Sequence, residues 1–146
     1  MNRKNGTTIE IGEFGPIYRQ FKGKPKEAVQ FLRQRKEGEC VAALHRPGIG
    51  DISLIWGKVT NSVRHQGYGL AHIIDKHEVE IKALGYSVED FISILVQNGR
   101  ITNKEYIDDN RIVCNGDGFR FIVQKAFRNR KSFFLLTAFS PKKPRR

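Results

Sequence analysis

The sequence predicts an α+β fold in which N-terminal helices pack on a twisted antiparallel β-sheet. Three observations carry this. Apolar residues recur at helical spacing in the stretches 25–32 and 70–95, β-branched and aromatic residues dominate from Ile101 onward, and turn-forming clusters cut that second part into short pieces. With 146 residues, 39% hydrophobic and 28% charged, the chain has the size and composition of one globular domain. No run approaches the roughly 18 apolar residues of a membrane span, so membrane insertion by this domain is not expected.

Residues 1–23 read as a glycine-rich, polar lead-in in which Ile9, Ile11 and Phe14 offer one short edge strand. Pro25 suits a first helical turn, and Ala28, Val29, Phe31 and Leu32 follow at helical spacing, giving a helix of about three turns that stops at Gly38. Residues 40–44 (CVAAL) and 51–56 (DISLIW) are strands joined by the turn 45–50, hence a hairpin. After a loop at 58–66, Leu70, Ile73, Ile74, Ile81 and Leu84 share one helical face, and Gly85 ends that helix. Ser87 with Asp90 imitates a capping box for a second helix carrying Val88, Phe91, Ile92 and Leu95 and closing at Asn98 and Gly99. Strands at 101–107, 111–114, 119–126 and 133–139 then form an antiparallel meander, their turns marked by Asp108-Asp109-Asn110, Asn115-Gly116-Asp117-Gly118 and Arg128-Asn129-Arg130-Lys131. The organisation is therefore a lead-in (1–23), a single domain (24–140) and a basic tail (141–146) expected to be disordered.

The formal charge of +11 is unevenly placed. From Gly118 to Arg146 there are nine basic residues and no acidic one, an asymmetry that favours a nucleic-acid footprint over a tail that merely aids solubility. Cys40 and Cys114 are too few for a disulfide framework or a zinc site, and a pair of free thiols is the default. The N-terminus carries no continuous apolar segment, so export, if it occurs, is expected to depend on another part of a longer polypeptide.

Histidine exchanges protons near neutral pH, and His72 and His77 lie on the helix opened by Gly67-Tyr68-Gly69. On a helical wheel with Leu70 at 0°, His77 falls at about 340°, on the apolar face, and His72 at about 200°. His77 is then either a satisfied core histidine or a functional one. His72 is either an idle exposed side chain or, beside a helix N-terminus and a flexible glycine hinge, a group poised over phosphate. Five positions separate the two, not the four of a zinc helix, and no third ligand is near, so neither a metal nor another cofactor is expected. Metal-free RNA cleavage needs a base for the 2′-hydroxyl, an acid for the leaving oxygen and donors for the charged phosphorane. His72 can serve as either base or acid. Arg120 and Lys125 fall on opposite faces of a regular strand, and Thr137, the one polar side chain in FFLLTAF, is either a plain β-former or a hydroxyl donor. Lys76, Arg128, Arg130 and Lys131 are candidate phosphate contacts, and Tyr18, Tyr68 and Phe127 candidate base-stacking rings.

GDISLIWG at 50–57, GYGLAHIIDKH at 67–77 and FLLTAF at 134–139, in that order, resemble the phage-associated branch of the barnase/EndoU/colicin/RelE-like nucleases over roughly residues 25–140. The resemblance implies helices on a twisted antiparallel sheet and metal-independent endoribonuclease activity. It marks His72 as the catalytic histidine, His77 as its companion, and Thr137 with Lys125 as strand-borne partners. Phe134 stands where tryptophan is expected, a change of packing and not of chemistry. Members act as C-terminal toxin domains of contact-dependent or secreted effectors, or sit in phage head-associated proteins. For this chain the resemblance implies RNA as substrate, with tRNA a candidate, delivery to a target-cell cytoplasm, a monomeric state and an acidic cognate immunity protein. The alternative is a non-catalytic nucleic-acid-binding or phage structural module of the same fold.

Overall fold

The computed structural model describes residues 9–125 and 132–141. Two short strands, β1 (Ile11–Gly12) and β2 (Gly15–Tyr18), precede helix α1 (Pro25–Arg35). The hairpin β3 (Glu39–Arg46) and β4 (Gly50–Ile55) leads to a smaller hairpin, β5 (Lys58–Asn61) and β6 (Gln66–Tyr68). Helix α2 (Gly69–Ala83) follows at once, then α3 (Val88–Asp90), which runs on as a π-helix over Phe91–Val96. Strands β7 (Ile101–Asp108), β8 (Arg111–Gly116), β9 (Phe119–Lys125) and β10 (Phe133–Phe139) follow.

Among the described residues eight strands form one sheet in the order β1-β2-β3-β4-β10-β9-β8-β7, while β5 and β6 pair apart from it. The expected α+β class holds, but the sheet is mixed, not wholly antiparallel. Strand β2 pairs with β3 in parallel, and β10 pairs with β4 in parallel. Each parallel pair is separated in sequence by a helix-containing connection, the kind of crossover that parallel pairing requires. The lead-in thus supplies a pair of strands to the sheet, where one edge strand is expected from sequence.

Helix α1 begins at Pro25 as expected and ends with Lys36 in the left-handed region, its N–H donating to Leu32 O at 2.7 Å. Ser87 caps the next helical segment, its Oγ accepting from Asp90 N–H at 3.0 Å. That segment becomes a π-helix after one turn, which sequence periodicity does not foresee. Its C-terminal carbonyls are covered by buried Arg46, which donates to Val96 O at 2.8 Å and Gly99 O at 2.5 Å. Leu70, Ile73, Ile81, Phe91 and Ile92 from the helices meet Phe119, Phe121, Val123, Leu135 and Ala138 from the sheet in one core, and Ala28, Val29 and Leu32 of α1 join it. Both cysteines are free and buried, and burial pushes their thiols up, Cys40 to about 12 and Cys114 to about 11.

The segment 58–66, read from sequence as a loop, is largely the β5–β6 hairpin, and it packs against α2. Gly57 and Gly69 make the tight passage from β4 into the helix. A Cβ on Gly69, which sits at φ +77°, would stand 2.9 Å from both Gly57 Cα and Trp56 O. Trp56 O accepts the Ala71 N–H at 2.7 Å. The glycines therefore let the chain approach itself, and the start of α2 is buried from Gly69 to Ile73. That replaces the expectation of a helix N-terminus open to phosphate. No helix among the described residues is long and apolar enough to cross a membrane.

Candidate active site

Strand β10 is paired with β4 only at Phe133 and Phe134. Helix α2 lies against the rest of β10, and a cavity of about 300 Å³ opens between them. His72, Lys76, His77 and Glu80 line it from the helix, Thr137, Phe139, Ser140 and Pro141 from the strand and its end.

Sequence reasoning put His72 and His77 on faces about 140° apart, too far to meet one phosphate. The structure corrects this. Both are buried, at 7% and 5% exposure, and their rings stand edge to face with centroids 5.6 Å apart. A wheel assumes one buried face and one wet face, whereas the first turn of α2 is enclosed by the core, the β5–β6 hairpin and β10 together. His72 is consequently not an exposed histidine, and His77 is not packed away from the cavity.

His77 stacks on Phe139 with ring centroids 4.9 Å apart at an interplanar angle of 17°. Its Nδ1 lies 3.1 Å from Glu80 Oε1. A carboxylate only accepts, so this nitrogen carries the hydrogen. Glu80 Oε2 accepts from Ser140 N–H, also at 3.1 Å, and so ties helix to strand end. Two of the lining residues each bury a polar atom that has no partner among the described residues: His72 Nδ1 and Thr137 Oγ1. Burial lowers the pKa of both histidines. Neighbouring His77 and Lys76 push His72 further down against the opposing pull of Asp75, whereas Glu80 counteracts the fall at His77. Asp75 is itself engaged by His65, whose Nδ1 is 3.0 Å away.

The strand-borne candidates separate. Strand β9 alternates without interruption against β8, while β10 carries a bulge between Leu135 and Thr137. Lys125 is paired with Phe133 and shares a face with Val123, whereas Thr137 is paired with Ile122 and shares the opposite face with Arg120. Lys125 and Thr137 therefore do not meet one phosphate, and the expected partnership fails. Arg120 is the basic residue on the Thr137 side, its guanidinium 5.7 Å from the Phe139 ring centroid and its Nε donating to Asn115 Oδ1 at 2.5 Å. Lys125 Nζ sits 5.5 Å from the Phe133 ring centroid instead. Arg128, Arg130, Lys131 and Phe127, together with residues 142–146 of the tail, lie outside the described residues. Tyr18 packs edge-on against Phe31 at 4.6 Å, which accounts for one proposed stacking ring as packing.

Sequence reasoning missed Glu80, although its position one turn after His77 is a readable helix-face signal. It also missed Ser140, which contributes a backbone group that no side-chain pattern announces. Among the described residues no three His, Cys, Asp or Glu side chains are grouped to hold a metal ion.

Comparison with curated proteins and with solved structures finds no match. A family model does match, over residues 43–145, taking in the cavity, the second half of β3 and every later strand while leaving α1 outside. Described as phage-Barnase-EndoU-ColicinE5/D-RelE like nuclease1, PBECR1, it spans most of the chain, and the chain belongs to that nuclease family.

Proposed function

We propose that this chain is a metal-independent endoribonuclease whose active site is the cavity between α2 and β10, with His72 exchanging a proton as general acid or base. One observation carries the reading: His72 and Thr137 line one cavity with a second histidine, and each buries a polar atom, Nδ1 and Oγ1, that has no partner among the described residues. Leaving a buried polar group unsatisfied costs about 1–3 kcal/mol, and a phosphodiester supplies what both atoms lack. Its non-bridging oxygens accept from the Thr137 hydroxyl, and its 2′-hydroxyl or leaving 5′-oxygen exchanges a proton with an imidazole. Lys76 adds positive charge at the same wall, and Arg120 approaches it across the Phe139 ring. The low proton affinity of His72 fits a site that becomes protonated when an anion is bound and gives the proton up readily.

The charge of +11 favours a long polyanion and makes association salt-dependent. We read the chain further as the toxin domain of a contact-dependent or secreted effector acting in the target-cell cytoplasm, with tRNA the leading RNA class and an acidic immunity protein as antagonist. Induced expression without that antagonist tests this. Growth arrest by the wild type, relief by His72→Ala, and a discrete cut mapped in one RNA class are the expected results. Wild-type expression with normal growth and intact RNA returns the chain to a non-catalytic nucleic-acid-binding module.

A further inference from the structure

We infer that Glu80 is a positioning residue that fixes His77 as the base of this site and leaves His72 as the acid, an assignment that rests on reading the cavity as a ribonuclease active site. Both carboxylate oxygens are committed. Oε1 accepts from His77 Nδ1–H and Oε2 from Ser140 N–H, so the group is held from α2 on one side and the end of β10 on the other. With Nδ1 carrying hydrogen, the lone pair of neutral His77 sits on Nε2. The stacked Phe139 ring and the edge-on His72 ring restrict rotation that would exchange the two nitrogens.

His72 has the opposite surroundings. No carboxylate is bonded to it: the nearby Asp75 is taken by His65, and Glu80 by His77. Among the described residues, the charged and titratable groups around His77 are His72, Lys76 and Glu80 on its own helix and His65 from the β5–β6 turn, while β10 and its end contribute the Phe139 ring and the Ser140 backbone. Glu80 stands out as the acidic group bonded to either ring. A proton arriving on His77 is stabilised by that carboxylate, whereas a proton on His72 faces cations and is readily given up. In the reaction the 2′-hydroxyl proton passes to His77 Nε2 as the 2′-oxygen bonds to phosphorus. The bond from phosphorus to the 5′-oxygen breaks, and the proton of His72 goes to that oxygen. The products are a 2′,3′-cyclic phosphate and a 5′-hydroxyl, with the two histidines reset by exchange with water.

The full chain, Glu80→Gln and Glu80→Ala are compared by long-range ¹H–¹⁵N NMR of the imidazoles and by the pH profile of kcat/KM on RNA. The expected wild type shows His77 as the Nδ1–H tautomer, which Glu80→Ala shifts toward Nε2–H. Glu80→Gln keeps an acceptor but loses the charge, so kcat falls roughly tenfold to a hundredfold with KM little changed. With His77 the more readily protonated ring, its titration sets the falling limb of the profile, which moves to lower pH in Glu80→Gln, and a merely structural role would not produce that shift. If Glu80→Ala does not fold, the limb measured in Glu80→Gln and the wild-type tautomer decide the matter. An active wild type with His77 as Nε2–H, or a limb unmoved in Glu80→Gln, overturns the role of Glu80 alone. A folded wild type inert on RNA overturns the reading of the site itself.

Discussion

At Phe133 and Phe134, β10 is hydrogen-bonded between β4 and β9, and Phe134 and Leu135 are sealed at 0% and 1% exposure; from Thr137 to Phe139, beyond the bulge, the same strand faces α2 with an unpartnered hydroxyl and a ring shared by His77 and Arg120. The first half meets every requirement of a central strand. The second leaves polar requirements unmet in a cavity of about 300 Å³, a cost that a fold built only for stability would remove with a valine at position 137. The bulge makes the difference. One extra residue in β10 turns Thr137 onto the side of Arg120, where regular alternation would have turned it away.

The largest expected effect is on activity alone. His72→Ala should lower kcat on RNA by about 10²–10⁴ with the fold retained, measured as initial rates beside circular dichroism. Phe134→Ala should do the reverse. Removing a fully buried aromatic from the first half costs about 3–5 kcal/mol by denaturant unfolding, while the rate per folded molecule stays near wild type. Thr137→Val tests the contrast within the strand: a drop of about 10²-fold in kcat with an unfolding midpoint equal to or above wild type. If Thr137→Val instead loses stability as Phe134→Ala does, the two halves are not different in kind. Next, Arg120→Ala should weaken RNA turnover by roughly tenfold, and Lys125→Ala, on the other face, by much less at matched salt.

The smallest effect concerns pH. His72 and His77 both have folded-state pKa values below their ordinary value, so near pH 6.5 the unfolded chain binds more protons than the folded one. Their contribution is present above the unfolded pKa and is lost as pH falls toward the folded values. The melting temperature should fall by a few degrees between pH 7 and pH 5, and the double substitution His72→Gln, His77→Gln should flatten that decline.

Much of this was legible in the chain. The Ser87 cap, the β7–β10 meander and the histidine-bearing helix after the Gly67–Gly69 hinge follow from local patterns. What local patterns cannot carry is enclosure and register. The wheel misplaced His72 because the β5–β6 hairpin, which lacks clear alternation at 58–66, covers a face that periodicity treats as wet. The bulge in β10 that takes Thr137 off the Lys125 face cannot be read from FFLLTAF. Parallel pairing of β10 with β4 depends on residues about eighty positions apart, and the double engagement of Glu80 depends on Ser140, sixty positions later.

We propose that the α2–β10 cavity cleaves RNA through histidine proton transfer. The most direct test is the end chemistry of RNA incubated with the purified chain in excess chelator, read in parallel for folded wild type and folded His72→Ala. Attack by the 2′-hydroxyl should leave 2′,3′-cyclic phosphate and 5′-hydroxyl ends with the wild type, none with His72→Ala, and no cleavage where the 2′-hydroxyl at the cut position is replaced by hydrogen. Cleavage that survives that replacement, or that proceeds at the wild-type rate in His72→Ala, would contradict the proposal.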